Sequence, residues 1–148
     1  MKCNSQLDER QLLQRGNVFQ HGLILFFVLL LTNAFLKEEE IVWAAGMWEN
    51  ILIVWAVIAL CLGEFAVREI YPMGGGMNVI YIVEGIAGVF LAAVSLFELL
   101  AGREPFAVDR TLTESGARLL QGAMMVLLLL VFVGKKVSDR GRRDEDEA

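Results

Sequence analysis

The sequence predicts an all-α integral membrane protein, a four-helix bundle running up-down-up-down with short loops. Three observations carry this. The 148 residues are 56% hydrophobic, and the apolar residues are gathered in blocks. Residues 16–36 and 119–134 contain no Asp, Glu, Lys or Arg, and about 20 apolar residues make a helix long enough to cross a hydrocarbon layer ~30 Å thick. Charges and turn formers fall between the blocks, at Lys37 to Glu40, Pro72 to Gly76 and Gly102 to Arg110. The length allows a single domain.

Residues 1–17 make a polar, cytoplasmic leader. Asn4 or Ser5 is placed to cap a short helix with Asp8 and Glu9 in its first turn, where the helix dipole favours acids. Such a helix would lie along the membrane surface; a solvated tail is the alternative. Span 1 follows over 18–36. Its leader and apolar run are long for a secretory signal, and no A-x-A site follows, so it reads as a retained helix. His21 and Thr32 share a face with Leu25 and Val28.

The acids Glu38 to Glu40 suit the N-terminus of the next helix, which can begin as early as Ile41. They lack the alternating oxygen ligands of a calcium loop. Span 2 covers 48–70, with Trp43 and Trp48 at the interface. Asn50, Val57, Cys61, Glu64 and Arg68 fall on one face. Pro72 and Gly74 to Gly76 end that helix and turn the chain. This glycine run lacks the Lys-Ser/Thr of a phosphate loop.

Span 3 covers 77–100. Gly85, Gly88, Ala92 and Ser95 recur at steps of three and four, a spacing that lets two backbones approach closely in lipid. Glu84, Gly88, Leu91, Ser95 and Glu98 form a stripe that must face protein, because lipid does not tolerate carboxylates. The pattern Thr111-x-x-Glu114 matches a capping box and places the next helix start near Leu112. Span 4 covers 116–134. The tail, 135–148, is basic and then acidic. Its Lys135 to Arg143 half suits anionic lipid, and its acidic tip reads as solvated and disordered.

Four spans put both ends on one side. Nine of the thirteen Lys and Arg residues fall there, and the excess of positive charge assigns that side to the cytoplasm.

The polar side chains within the spans are the candidate site. Glu64 and Glu84 each lie about 10 Å from the cytoplasmic edge, seven residues in at 1.5 Å each. Arg68 is one turn from Glu64, and His21 lies on the same side of the membrane. An ionised carboxylate in an apolar layer costs several kcal/mol unless it pairs or binds a proton. The cluster His21, Glu64, Arg68 and Glu84 therefore has two readings. One is a structural tie between spans 1, 2 and 3; the other is a proton or cation relay or a pocket for a cationic ligand.

No HExxH, CxxC or GxSxG is present, and His21 is the single histidine. Cys3 and Cys61 lie far apart, so no disulfide framework is expected. No basic patch with interleaved aromatics points to nucleic acid. We expect no enzyme, no cofactor and no metal. The partners expected are the lipid bilayer and a second copy or another membrane protein. The expected role is a non-enzymatic accessory or regulatory subunit acting through helix contacts. The alternative is a small proton- or cation-coupled transporter using Glu64 and Glu84. In size and span number the chain resembles the small multidrug resistance exporters. Those carry an essential carboxylate in the first helix, and span 1 here has none.

The leader Asp8-Glu9-Arg10, the four short-looped spans and the Glu64-to-Arg68 end of span 2 together resemble a class of small bacterial four-helix membrane proteins, a domain-of-unknown-function type with no assigned activity. That resemblance implies a bacterial plasma membrane and nothing about mechanism.

Overall fold

The computed structural model describes residues 9–68, 70 and 77–146. It is a four-helix structure: α1 (Glu9–Glu38), α2 (Trp48–Arg68), α3 (Met77–Leu100) and α4 (Glu114–Asp146). A two-residue hairpin, β1 (Ala107–Val108) and β2 (Thr111–Leu112), sits between α3 and α4. All four helices are long and apolar enough to cross a membrane. The turn expected at Pro72 to Gly76 and the caps expected at Asn4 or Ser5 lie outside the described residues.

The helix ends have local causes. At the end of α1, Glu40 takes a left-handed φ of 58°. The amides of Glu40 and Ile41 then donate back to the carbonyls of Lys37 (3.1 Å) and Leu36 (2.8 Å), satisfying carbonyls that the helix end leaves open. Gly102, with φ 65°, does the same for α3, sending its own amide to Leu99 and that of Arg103 to Glu98. The acids Glu38 to Glu40 thus finish α1 and do not cap α2. Residues 41–47 are not helical, and α2 starts at Trp48.

Helix α4 also departs from expectation at both ends. Thr111 belongs to β2, and its hydroxyl donates to the Val42 carbonyl at 2.8 Å. The residue that caps α4 is Thr113, whose hydroxyl accepts the Gly116 amide at 3.2 Å. At the far end, the helix runs on to Asp146 in place of the disordered tip. Residues 135–146 hold no proline and one glycine, and nothing in them breaks a helix.

Consecutive helices run antiparallel, but they are not a ring in chain order. Helix α1 packs on α2, α2 on α4, and α4 on α3. So α4 lies between α2 and α3. The α3–α4 contact is the most intimate. A Cβ on Gly88 would stand 2.9 Å from the Gly122 carbonyl and 2.6 Å from Met125 Cβ. One on Gly122 would stand 2.8 Å from the Gly88 carbonyl. The two backbones touch where neither residue has a side chain. Gly85 leans against Leu129 in the same way, and Ser95 is fully buried. At the other end of the pair, Tyr81 stacks on Phe132 with centroids 4.5 Å apart. Its hydroxyl donates to the Leu62 carbonyl of α2 at 2.6 Å.

Gly88→Leu is expected to force α3 and α4 apart and to cost about 1–3 kcal/mol, the usual penalty of overpacking. Gly16→Leu, with nothing within 4 Å of its Cβ, is the control. Thermal unfolding of the two purified variants in mild detergent checks this.

Candidate functional site

Polar side chains gather at the two ends of the helices and leave the middle apolar. Near the N-terminal half of α1, Glu64 of α2 takes two partners. His21 of α1 places Nδ1 at 3.1 and 3.2 Å from the two carboxylate oxygens. Arg68, one turn on, pairs with the same carboxylate. Glu64 is largely covered, while His21 is half exposed and Arg68 37% exposed. The contact is possible because α1 and α2 are close at this level. Gly22 sits directly against Cys61, Val18 and Phe65 are buried together, and the Cys61 thiol lies 3.9 Å from the Val18 carbonyl.

Glu84 does not join them. It is half-buried on α3, and one of its carboxylate oxygens is covered with no hydrogen-bond partner among the described residues. The expected tie across spans 1, 2 and 3 is therefore a tie across α1 and α2 alone. The cause is the packing order: the polar stripe of α3 faces α4 rather than α1 and α2. The small residues Gly85, Gly88, Ala92 and Ser95 are spent on that same contact inside the chain.

The opposite end holds a second, larger network. Glu49, in the first turn of α2, is buried. It pairs with Lys37 Nζ at 3.0 Å and accepts the Trp43 amide at 3.2 Å. Beside it, the Trp43 indole N–H donates to Asn33 Oδ1 at 2.7 Å, and the Asn33 amide reaches Asn50 at 3.4 Å. The loop carrying Trp43 is itself stitched to the hairpin. Leu112 donates its amide to the Trp43 carbonyl (2.9 Å) and accepts that of Ala45 (2.8 Å).

On the α3–α4 side, Arg118 pairs with Glu98 at 3.0 Å, and the fully buried Ser115 hydroxyl lies 2.6 Å from Glu98 and 2.5 Å from Glu104. Ser115 also donates its amide to Glu104 at 3.1 Å. The Ser115 hydroxyl and amide together hold the Glu104 carboxyl below its usual range, with Arg118 adding to the effect. Glu104 thus occupies the positive N-terminus of α4, supplied from the preceding loop.

Sequence reasoning found Glu98 as part of a stripe and Asn50 as part of a face, but not their partners. Glu49 and Arg118 were visible as charges at the edges of apolar runs. What pairs them depends on two loops whose course no periodicity reports. Among the described residues, no three His, Cys, Asp or Glu side chains converge as metal ligands would. Comparison with family models, with curated proteins and with solved structures gives no match.

Two predictions follow from the network around Glu49 and Glu104. Because folding lowers the acidity range of Glu104, its contribution is present above the ordinary carboxylate range, about pH 4.3. It is lost as pH falls through the lower folded value. Glu104→Gln is expected to flatten the loss of melting temperature between pH 6 and pH 3 relative to the parent chain. Lys37→Met leaves Glu49 buried without its cation and is expected to cost about 1–3 kcal/mol, less than a fully buried pair because Lys37 is half exposed. Unfolding midpoints at neutral pH measure it.

Proposed function

We propose that this chain is a multi-pass protein of a bacterial plasma membrane, with both termini cytoplasmic, and that it works as a non-enzymatic accessory or regulatory subunit through helix–helix contacts. One observation carries the reading. The edge helices keep broad apolar faces uncovered by the rest of the chain. On α1, Phe19, Leu23, Phe27, Leu31 and Phe35 are each more than half exposed, and on α3 so are Val83, Ile86, Phe90 and Phe97. In water such surfaces drive association; in a bilayer they face lipid or another helix. The polar groups support the same reading, since Glu49, Glu64 and Glu98 are each held by a cation of the chain.

A second reading, a proton- or cation-coupled transporter, is favoured by Glu84 alone. Its carboxylate has a covered oxygen with no hydrogen-bond partner among the described residues, whereas Glu49, Glu64 and Glu98 are each paired with a cation.

The chain is expected to stay with the membrane through an alkaline carbonate wash, and reporters at its two ends are expected to read cytoplasmic. Crosslinking in intact membranes should capture a second copy or another membrane protein. A strictly monomeric species in native membranes would count against the accessory role. If proteoliposomes carry a proton or cation flux that Glu84→Gln abolishes, the transporter reading replaces it.

A further inference from the structure

Helix α1 is seated on α2, and its two halves are held by different chemistry. The C-terminal half is held by Lys37 to Glu49 and by Asn33 to Asn50 and Trp43. Lys, Glu and Asn side chains do not ordinarily titrate near neutral pH. In the N-terminal half, one tie joins two polar side chains among the described residues, His21 to Glu64. Histidine is the side chain whose ordinary titration falls in the physiological range.

This tie needs a proton on Nδ1. That nitrogen stands 3.1 and 3.2 Å from the two oxygens of one carboxylate. A lone pair placed there would face negative charge, so the position suits an N–H. The imidazolium carries N–H on both nitrogens, whereas the neutral ring carries one, which can sit on Nε2 instead. The ring is half exposed and opens into a cleft lined by Leu60, Gly63, Glu64, Val67 and Arg68, so protons reach it from solvent. The charged groups facing it there are Glu64 and Arg68, both on α2. Arg68 pairs with Glu64 whatever the state of His21. That shared claim on the carboxylate moderates the gain, and only the His21 contact changes with acidity.

The apolar part of the same seat is narrow. Val18 and Gly22 of α1 meet Cys61 and Phe65 of α2 along one line. The cleft around His21 flanks that line on one side. On the other, a second open cleft is lined by Phe19, Leu23, Phe26, Val54 and Ile58. With space on either flank, this half of α1 has room to shift.

We propose that His21 is a proton sensor that sets how tightly α1 is seated on α2. Protonated, it clamps the N-terminal half of α1 to Glu64. Neutral, it releases that half, which pivots about the ties at Asn33 and Lys37. The clamp is therefore present below the histidine range and lost as pH rises through it. Exposed Phe19 and Leu23 ride on the moving half, so the apolar face that α1 offers a partner follows cytoplasmic acidity. The sidedness rests on the membrane reading above.

Cys61 reports the seat, because its thiol lies directly under Gly22. The full chain carrying Cys3→Ser is placed in nanodiscs, and Cys61 is alkylated with a membrane-permeant maleimide. At each pH the rate is divided by that of the same chain with His21→Lys, whose amine stays cationic, so the thiol's own pH dependence cancels. The ratio is expected near one at about pH 5.5 and about two- to fivefold higher at about pH 8, the worth of a partly exposed ion pair. A direct effect of the imidazolium charge on the thiol runs the other way, since a nearby cation speeds thiol attack. Glu64→Gln is expected to keep the ratio high and flat across that range. If His21→Lys fails to fold, His21→Gln becomes the reference, and the parent should label more slowly than it in acid and equally in alkali. A flat ratio in the parent, or a pH step that survives Glu64→Gln, overturns the sensor. Nanodiscs expose both ends to buffer, so either result leaves the membrane reading to the reporter fusions.

Discussion

Helices α3 and α4 meet backbone to backbone at Gly88 and Gly122, and the position of α4 follows from that contact. A side chain at either glycine would collide with the opposite main chain. With both absent, α4 sits against α3 and turns its other side to α2. The buried Ser95, the Tyr81–Phe132 stack and the Glu98–Arg118 pair all lie along this one seam. In a hydrocarbon solvent, apolar area gives little preference for one helix neighbour over another. Close van der Waals contact and satisfied polar groups must then select it.

With α4 between α2 and α3, α1 is left at the edge, and its attachment to α2 is made differently. Apolar contact at Val18, Gly22 and Cys61 is combined with polar ties near both ends, His21 to Glu64 and Asn33 to Asn50. Each tie neutralises or satisfies a group that would be costly to leave alone in an apolar layer. The same edge position leaves open clefts on either flank of that contact.

The end of the molecule opposite His21 is built as a cap. Loop 41–47 and the β1–β2 hairpin hydrogen-bond to each other, and they carry or cover Trp43, Glu49, Glu104 and Ser115. Glu104 closes the N-terminus of α4, and Thr113 supplies the hydroxyl cap. Loops bound this way hold the first turns of α2 and α4 in fixed register.

Four helices were legible in the residues, because an apolar block of about 20 residues has few other ways to satisfy its backbone, but α1 begins at Glu9 and α4 runs to Asp146, well beyond their apolar blocks. The spacing of Gly85, Gly88, Ala92 and Ser95 in steps of three and four, which puts them on one face of α3, was legible too. Which helix that face would meet was not. Periodicity reports the side a residue takes on its own helix and nothing about the neighbour across from it. Glu84 shows the consequence. Its expected depth matched that of Glu64, yet His21 and Arg68 pair with Glu64, and a covered oxygen of Glu84 has no hydrogen-bond partner among the described residues. The shift of the α4 cap from Thr111 to Thr113 has the same cause, because the pairing of β2 with β1 and with loop 41–47 claimed Thr111 first. Local pattern set the four rods, and contacts between residues far apart in sequence chose their order.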